Sequence, residues 1–599
     1  MSWMTRRGST TAFPTGDTVS FSSWSVWLRS HAFLAPAVLV FAAFLLYFPS
    51  LRGSFVYFDS FEIQGNPAVT TPGLWLQNFT YSSGTALAGR GYYYRPLYFF
   101  SYWLVYRFAG PQPFAFHLSQ LMLYAATVWM LFRLGCELLH DEGIAFAGAL
   151  LWAVHPAHVE AVAWISSLCD VGCAFFYFWA FRLFLQVEKT EQPAPIAHLK
   201  AALAFLAALF FKEMAFSFPL LLLAYWFFLG RQRESWMNRA VRGGPYILVF
   251  FLYLLVRIRV MGHMTSGGNT WNLSLSLLLR SLTLFGEHTK ILFWPTQLYY
   301  GRTAGLDGAS LFPWPILALL GLGVAFAYRN REPLIAFLIF WWPVALAPCL
   351  DIRQITFPYV ADRFSYLPSA GLCLAISYLL FHWLPRRFPA LRPSRAGIPV
   401  TVVVVLLWAF QTSRTIPHWG NEDVFSAYSI RESPTVPIFH AVRGRVLATE
   451  RGDIDGAVKE YETAVRLSAS APEVWPAVAH DAYIGLANIA KMKGQFDDAA
   501  REYERAAAKM PANSHAYKEL ASLYLLQGNL TKVAEYLSQV VKLDPLDIQA
   551  QFNLGVCWLK LGKYREAAEQ FSDVASARPD FPNVREAEAQ ARAGALQQK

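Results

Sequence analysis

One acidic segment follows the first long apolar run of this 599-residue chain and combines carboxyl groups with aromatic side chains. It places Asp59 and Glu62 beside Tyr57, Phe58 and Phe61. Apolar surroundings disfavour the charged form of a carboxyl group and raise its pKa, so that it can accept a proton from a reacting hydroxyl. The segment is compatible with a general base, although a solvated loop acid is the preferred interpretation from these residues alone.

Three other segments each supply a cation of a kind that binds phosphate. Arg95 stands in a Tyr-Tyr-Arg-Pro-Leu run, Lys212 precedes Glu213 between two apolar runs, and Arg363 follows Asp362 before another. Guanidinium groups bind phosphate through paired hydrogen bonds, and ammonium groups bind it as point charges. The alternatives are an interfacial anchor at Arg95, a local Lys212–Glu213 ion pair, and a topology signal at Arg363.

A fifth segment contains His155 and His158, followed by Glu160 and then Asp170. The two histidines are three residues apart and lie near one helical face, which is compatible with a metal site. Pro156 distorts a helix at this point, so hydrogen bonding inside a helix bundle is the preferred interpretation. No metal ligand or cofactor is assigned, and a divalent metal is left open.

The elements that must hold these segments are apolar helices. Hydrophobic residues make up 55% of the chain and charged residues 15%, whereas soluble domains have about 25% charged residues. Apolar runs near the ~20 residues that cross a bilayer recur over the first ~415 residues and predict roughly eleven spans. These lie at about 32–50, 114–132, 144–164, 171–187, 199–211, 214–230, 245–261, 311–328, 333–350, 366–384 and 397–413.

Basic residues predict how these spans are oriented. Arg6, Arg7 and Arg29 are placed in the cytoplasm, which puts the loop 51–113 outside. The apolar stretch 274–294 carries several charged residues and is interpreted as interfacial or re-entrant. The C-terminal region then lies on the outer face with that loop. Four of the five ionisable segments, and Asp170, converge on this face, which suits an anionic lipid-linked substrate.

The C-terminal region repeats with a period of 34 residues. Gly494, Gly528 and Gly562 keep this spacing, and a looser unit surrounds Gly452. A 34-residue period with Gly between two helices is typical of tetratricopeptide repeats (TPRs), and about four hairpins are expected. Such arrays present a concave groove to an extended peptide or partner, which is the preferred interpretation over a folded spacer.

Together these segments resemble the transmembrane and tetratricopeptide-repeat O-mannosyltransferases of the GT-C glycosyltransferase superfamily, and a bacterial relative is favoured. The resemblance is carried by the outer-loop acid, Tyr-Arg-Pro-Leu (94–97), His-Pro-x-His-x-Glu-Ala-Val-Ala (155–163), Lys212-Glu213, Asp-Arg-x-x-Tyr-Leu-Pro-Ser (362–369) and the trailing TPRs. It implies an all-α chain: a polytopic transmembrane helix bundle of GT-C type at 1–415 and a TPR α-solenoid at 416–599. The solenoid is expected in the periplasm of a bacterial inner membrane, or in the endoplasmic reticulum of a eukaryote.

The resemblance also implies a reaction, the inverting transfer of mannose or another hexose from a polyprenyl-phosphate donor to a protein Ser or Thr hydroxyl. The TPR groove would recruit the acceptor protein or peptide. Asp59 would be the catalytic base, and Arg95, Lys212 and Arg363 would bind the donor phosphate. The expected pocket residues are Glu62, His155, His158, Glu160, Asp170, Glu213 and Asp362.

Two positions depart from the family pattern. Phe58 occupies the first of two adjacent acidic positions, for which Glu62 could substitute, and Leu168 replaces an Arg. A non-catalytic membrane scaffold that assembles exported proteins through its TPRs is therefore the alternative. Nucleic acid is not an expected partner, because the basic residues behind the net charge of +10 sit largely in short clusters between apolar runs. The expected partners are the lipid-linked sugar, the acceptor and membrane lipids.

Overall fold

A computed structural model gives the architecture of most of the chain. The structure is 83% helical, and the described residues contain no β-strand, which confirms the all-α class. The predicted orientation signals at Arg6, Arg7 and Arg29 lie outside the described residues, so the orientation of the chain stays a prediction. The structure describes residues 34–80, 93–190, 194–230, 235–261, 275–302, 313–350, 360–391, 396–472, 474–545 and 547–597.

The N-terminal part is a bundle of apolar helices. Many begin with proline, whose missing N–H would have no partner in the first helical turn. The longer helices here are Leu34–Tyr47, Pro96–Ala109, Pro113–Leu139, Glu142–Ala153, Leu168–Lys189, Pro195–Phe211, Phe218–Phe228, Trp236–Met261, Leu275–Phe293, Pro313–Arg329, Pro333–Leu346, Ser369–Tyr378 and Ile398–Thr415.

Five of the described helical segments are long and apolar enough to cross a membrane: Leu34–Arg52, Pro113–Leu139, Ile165–Lys189, Met237–Met261 and Ile398–Trp419. Several apolar helices are shorter, such as Glu142–Ala153 and Pro333–Cys349. Only 22% of the Met237–Met261 window and 17% of the Ile398–Trp419 window is buried inside the protein. Their remaining apolar surface suits contact with lipid.

The predicted span at 144–164 is wrong. Its helix ends at Ala153, and short helical turns separated by bends lead to the next long helix at Leu168. His155 has extended backbone torsions because the residue before a proline is disfavoured in a helix. The side chain of Gln120 donates to the carbonyls of Ala161 and Trp164, each at 2.8 Å. This irregular segment is buried in protein, where non-helical backbone is tolerated.

Two helices approach closely beside this segment. The helix Leu168–Lys189 packs against Pro195–Phe211. A Cβ added at Gly172 would lie 2.3 Å from the ring of Phe211. Glycine at this position therefore lets the ends of the two helices meet.

The C-terminal part is a row of antiparallel helical hairpins. Their turn glycines, Gly452, Gly494, Gly528 and Gly562, have φ angles of 68–74°, which glycine adopts without strain. The helix Glu422–Glu432 precedes the array. The hairpin helices are Pro437–Val446, Ile454–Ser468, Pro476–Met492, Phe496–Lys509, His515–Leu526, Leu530–Leu543, Ile548–Lys560 and Tyr564–Ala577, and Val584–Gln597 packs on the last.

Hydrogen bonds join this row to the loop after the first apolar helix. The Ser54 N–H donates to the Gly420 carbonyl at 2.9 Å, and the Tyr57 N–H donates to Glu422 Oε1 at 2.8 Å. Arg445 donates to the same Glu422 oxygen at 2.6 Å. The helix that precedes the hairpin array therefore contacts the Asp59 loop directly.

We expect Glu422→Ala to loosen this junction. The substitution leaves the buried Tyr57 N–H without its acceptor, which costs about 1–3 kcal/mol. A lower thermal unfolding midpoint in detergent is the expected result. Glu432→Ala is the matched control, because Glu432 lies on the same helix and pairs with the exposed Arg431. Equal midpoints for the two variants would contradict the prediction.

Candidate functional site

Asp59 lies in a turn that is held from several sides. Its Oδ2 accepts the Val56 N–H at 2.8 Å, and its Oδ1 accepts the Ser166 N–H at 2.8 Å and the Ser166 hydroxyl at 2.5 Å. The side chain is 1% exposed. Burial raises the pKa of Asp59 to about 8, against the opposing effect of these donors. Tyr57 has a φ of 58°, a strained value for an aromatic residue, and its hydrogen bond to Glu422 holds it there.

Glu62 lies one turn beyond Asp59 and is partly exposed. Its Oε2 is 2.6 Å from the Tyr98 hydroxyl, which is also 2.9 Å from the Ser166 carbonyl. The Tyr102 hydroxyl continues the network, 2.9 Å from Tyr98 and 2.7 Å from the Ile165 carbonyl. Burial raises the pKa of Glu62, although hydrogen bonds from Tyr98 and Ser166 and the charges of Arg95 and Arg363 act in the opposite direction.

Arg95 directly precedes the helix Pro96–Ala109 and pairs with Glu213. Its Nε and Nη2 donate to Glu213 Oε2 at 3.0 and 2.7 Å. Arg257 donates to the other Glu213 oxygen at 2.8 Å, so one carboxylate joins two guanidinium groups. The remaining terminal nitrogen of Arg95 is 3.7 Å from Cys169 Sγ.

Lys212 pairs with Asp170 and not with its neighbour Glu213, so the alternative of a local ion pair is wrong. Its ammonium group lies 2.6 Å from both oxygens of Asp170, and the two side chains are 7% and 3% exposed. Lys212 has extended backbone torsions, and neighbouring side chains on extended backbone point in opposite directions. Lys212 and Glu213 therefore serve different parts of one cluster.

Arg363 completes the cluster. It forms an ion pair with Glu160, and its Nε lies 4.0 Å from Asp170 Oδ2. Its guanidinium group is 5.0–5.6 Å from the ring centroids of Trp164, Tyr300 and Phe364. Asp362, the preceding residue, forms a separate buried ion pair with Arg302. The Arg302 backbone also bridges to Val360.

His155 and His158 are fully buried behind this cluster. His155 Nε2 is 3.0 Å from the Leu292 carbonyl, and His158 Nε2 is 2.9 Å from the Ser369 hydroxyl. Hydrogen bonding within the helix bundle is therefore confirmed for both. The described residues hold no group of three or more His, Cys, Asp or Glu side chains arranged for a metal ion.

The segment from Ser166 to Asp170 connects these groups. Ser166 binds Asp59 and lies beside Tyr98, while Cys169 lies beside Arg95 and Asp170 beside Lys212 and Arg363. Asp59 and the three predicted cations are therefore in one neighbourhood. The sequence interpretation missed Ser166, Tyr98, Arg257 and Arg302. Arg257 had a usable signal, because a charged residue inside a predicted span usually has a partner in the protein.

The charges in the cluster are distributed unevenly. Five cations face four carboxylates: Arg95, Arg257, Lys212, Arg302 and Arg363 against Glu213, Asp170, Asp362 and Glu160. Asp59 and Glu62 have no cation within 4.0 Å among the described residues. The site thus combines carboxyl groups that can take up a proton with guanidinium groups that can stabilise an anion.

Two family profiles match the hairpin region, both described as "Tetratricopeptide repeat". They cover residues 484–545 and 524–591. The crystal structure of YrrB, a TPR protein with an unusual peptide-binding site, is 21% identical, covering 29% of this chain and 85% of that chain. Its TM-score of 0.25 is too low to support an argument.

Relatives that match longer parts of the chain are named as protein O-mannosyl-transferases. "Protein O-mannosyl-transferase F38B6.6" of Caenorhabditis elegans is 25% identical over 459 residues, 74% of this chain and 64% of that protein. "Protein O-mannosyl-transferase TMTC1" of Homo sapiens is 25% identical over 494 residues, 72% of this chain and 55% of that protein. The Mus musculus TMTC1 is 37% identical over a shorter stretch, 24% of this chain and 16% of that protein.

The resemblance to the protein O-mannosyl-transferases is thereby confirmed, and the chain is similar to proteins of that name over about three quarters of its length. It spans less than two thirds of the length of each relative named above.

Proposed function

We propose that the chain is an inverting membrane glycosyltransferase of GT-C type that moves mannose or another hexose from a polyprenyl-phosphate donor to a protein Ser or Thr hydroxyl. The names of the relatives support protein O-mannosyl transfer as the kind of activity. The observation that carries the proposal is the single cluster around Ser166–Asp170. There, carboxyl groups that have no cation within 4.0 Å among the described residues lie in one neighbourhood with several guanidinium groups.

The reaction needs two kinds of group. The acceptor oxygen attacks the anomeric carbon as the bond from that carbon to the phosphate oxygen breaks, and the electron pair leaves with the polyprenyl phosphate. A carboxylate takes the acceptor proton. Cations stabilise the charge that develops on the phosphate. The phosphate is a good leaving group, so the mechanism requires no general acid.

Arg95 and Arg363 are the cations best suited to contact the phosphate. Their side chains are 14% and 13% exposed, compared with 7% for Lys212 and 5% for Arg257. A guanidinium group has five N–H donors, so one carboxylate partner leaves donors for a phosphate. Lys212, whose ammonium is held by both oxygens of Asp170, acts on the phosphate through the position of that carboxylate.

The hairpin array recruits the acceptor. The helix before the array contacts the Asp59 loop through Glu422, and Arg445 of the first hairpin helix binds the same Glu422 oxygen. A protein bound along the array therefore ends close to the cluster. In a bacterial inner membrane, the cluster and the array face the periplasm, where exported proteins emerge. The solenoid groove then delivers an extended Ser- or Thr-containing segment to the site.

The proposal predicts that Arg95→Met lowers hexose transfer about tenfold to a hundredfold, because one phosphate-side guanidinium is lost. The full chain, reconstituted in lipid nanodiscs, is given radiolabelled polyprenyl-phosphate mannose, glucose or galactose and a pool of Ser- and Thr-containing peptides. Labelled peptide is then counted. Arg107→Met is the matched control, because Arg107 is exposed near the end of the same helix.

Transfer by the parent chain and by Arg107→Met, with a loss in Arg95→Met, supports the proposal. A parent chain that binds an exported protein but transfers no hexose from any of the three donors contradicts it. That second result favours the membrane-anchored scaffold.

A further inference from the structure

The two carboxyl groups of the loop after the first helix, Asp59 and Glu62, differ in their hydrogen bonds and in their exposure. Asp59 receives three hydrogen bonds from Val56 and Ser166, and is 1% exposed. A carboxylate has about four acceptor sites, so little of Asp59 is left for a substrate hydroxyl. Its bonds instead tie the loop to the segment that carries Asp170. This is the geometry of a residue that positions others.

Glu62 is placed differently. It is partly exposed, and its Oε2 lies 2.6 Å from the Tyr98 hydroxyl, with the Ser166 side chain also beside it. Two exposed aromatic residues, Phe58 and Phe61, lie on the same turn at 37% and 46% exposure. A substrate can therefore reach Glu62 across an apolar, aromatic surface, whereas Asp59 lies behind it.

A proton count in the tyrosine network points the same way. Four oxygen–oxygen contacts of 2.6–2.9 Å join Glu62, Tyr98, Tyr102 and the carbonyls of Ser166 and Ile165. Two tyrosine hydroxyls supply only two protons for these four contacts. A proton on Glu62 allows Glu62 to donate to Tyr98, Tyr98 to the Ser166 carbonyl and Tyr102 to the Ile165 carbonyl. The network is therefore better satisfied after Glu62 has accepted a proton.

Resting on the proposed function, we infer that Glu62 is the catalytic base of hexose transfer and that Asp59 is a positioning residue. In the transfer step, the proton of the acceptor hydroxyl moves to a Glu62 oxygen. The acceptor oxygen bonds to the anomeric carbon, and the polyprenyl phosphate leaves with the electron pair of the broken bond. Glu62 thus supplies the carboxylate that Phe58 removes from the family pattern, and the assignment of the base to Asp59 is revised.

The pH dependence of transfer is the first readout. Glu62 acts as a base only when ionised, so the kcat of the parent chain falls as the pH drops below the raised pKa of Glu62. Glu62→Gln is expected to lower kcat by about 10²–10⁴-fold with little change in the donor KM. It should also remove the fall of kcat at low pH, which is the acid limb of the pH profile. The ionisable groups that face Glu62 are Asp59, Tyr93, Tyr98, Tyr102, Cys169, Arg95 and Arg363.

Three variants distinguish the role of Glu62 from that of Asp59. Glu62→Asp keeps a carboxylate, and we expect an intermediate kcat and a retained acid limb. Asp59→Asn is expected to lower the unfolding midpoint, while its remaining activity keeps the acid limb. Azide, an anionic acceptor with no proton to lose, is expected to form the glycosyl azide with Glu62→Gln at a rate close to that of the parent chain.

The outcomes are distinguishable. If Glu62→Gln binds donor and transfers hexose to peptide within threefold of the parent, while Asp59→Asn loses the acid limb, the inference is overturned and the proposed function stands. If Glu62→Gln fails to fold, loss of the acid limb in Glu62→Asp overturns the inference. A parent chain without hexose transfer overturns both.

Discussion

Lys212→Met is expected to lower the free energy of unfolding by about 3–5 kcal/mol, because it leaves the buried Asp170 carboxylate without its partner. Both Asp170 oxygens lie 2.6 Å from the Lys212 ammonium, and Arg363 is 4.0 Å away and held by Glu160. The loss is measured as a fall in the thermal unfolding midpoint of the full chain in detergent. The double variant Lys212→Met with Asp170→Asn should recover most of that midpoint, since no unpaired charge then remains.

Lys189→Met is the matched control for Lys212→Met and its double variant. Lys189 ends the helix Leu168–Lys189, whose first turn contains Asp170. Its side chain is 53% exposed and lies 3.7 Å from Glu137. Exposed pairs of this kind contribute at most about 1 kcal/mol. A Lys212→Met midpoint equal to that of Lys189→Met, or a double variant no more stable than Lys212→Met alone, would rule out a stabilising buried pair.

Local geometry explains which features the sequence could predict. The hairpin turns could be predicted from the sequence because each turn needs a glycine at positive φ. Gly494 and Gly528 have such φ angles. Cations and acids between apolar runs were readable because such groups seldom stand unpaired inside a membrane protein. Residues such as Arg95 and Asp170 stand out in the sequence for this reason, and the structure places them in one cluster.

The pairing of these residues could not be predicted in the same way. Arg95 meets Glu213 and Arg363 meets Glu160 across more than a hundred residues of chain, and no local pattern encodes such a contact. Adjacency misled the interpretation of Lys212 because extended backbone turns its side chain away from that of Glu213. Ser166 carries no charge, so its place between Asp59 and the Tyr98 network had no signal in the sequence.

The break in the helix at His155 could be predicted only in part. Pro156 was recognised as a distortion, but the surrounding residues are apolar enough to resemble a continuous span. The broken segment has a consequence for the site. A straight helix would project successive side chains in different directions, whereas the turns at Pro156–His158 and Ile165–Ser167 bring Glu160 and Asp170 together near Arg363. Irregular backbone here is what assembles the charges.

Arg363→Lys is expected to lower hexose transfer by about 10²–10³-fold, since under the proposed function Arg363 stabilises the charge on the departing phosphate. Lysine keeps the charge but loses the planar set of N–H donors that can hold Glu160 and a phosphate together. The loss should fall mainly on kcat, because the phosphate gains charge only as the bond to the anomeric carbon breaks. Initial rates in nanodiscs with saturating polyprenyl-phosphate hexose measure it.

Arg431→Lys serves as the control for the Arg363 substitution, because Arg431 is 70% exposed and pairs with the next residue, Glu432. It should transfer hexose at the rate of the parent chain. The unfolding midpoint of Arg363→Lys must also stay near that of the parent, so that a lost rate reports on chemistry. A folded Arg363→Lys protein with a rate within threefold of the parent would mean that the phosphate is held elsewhere. Arg95 would then be the guanidinium group of the cluster to substitute next, because it is the most exposed of the remaining cations that the structure describes there.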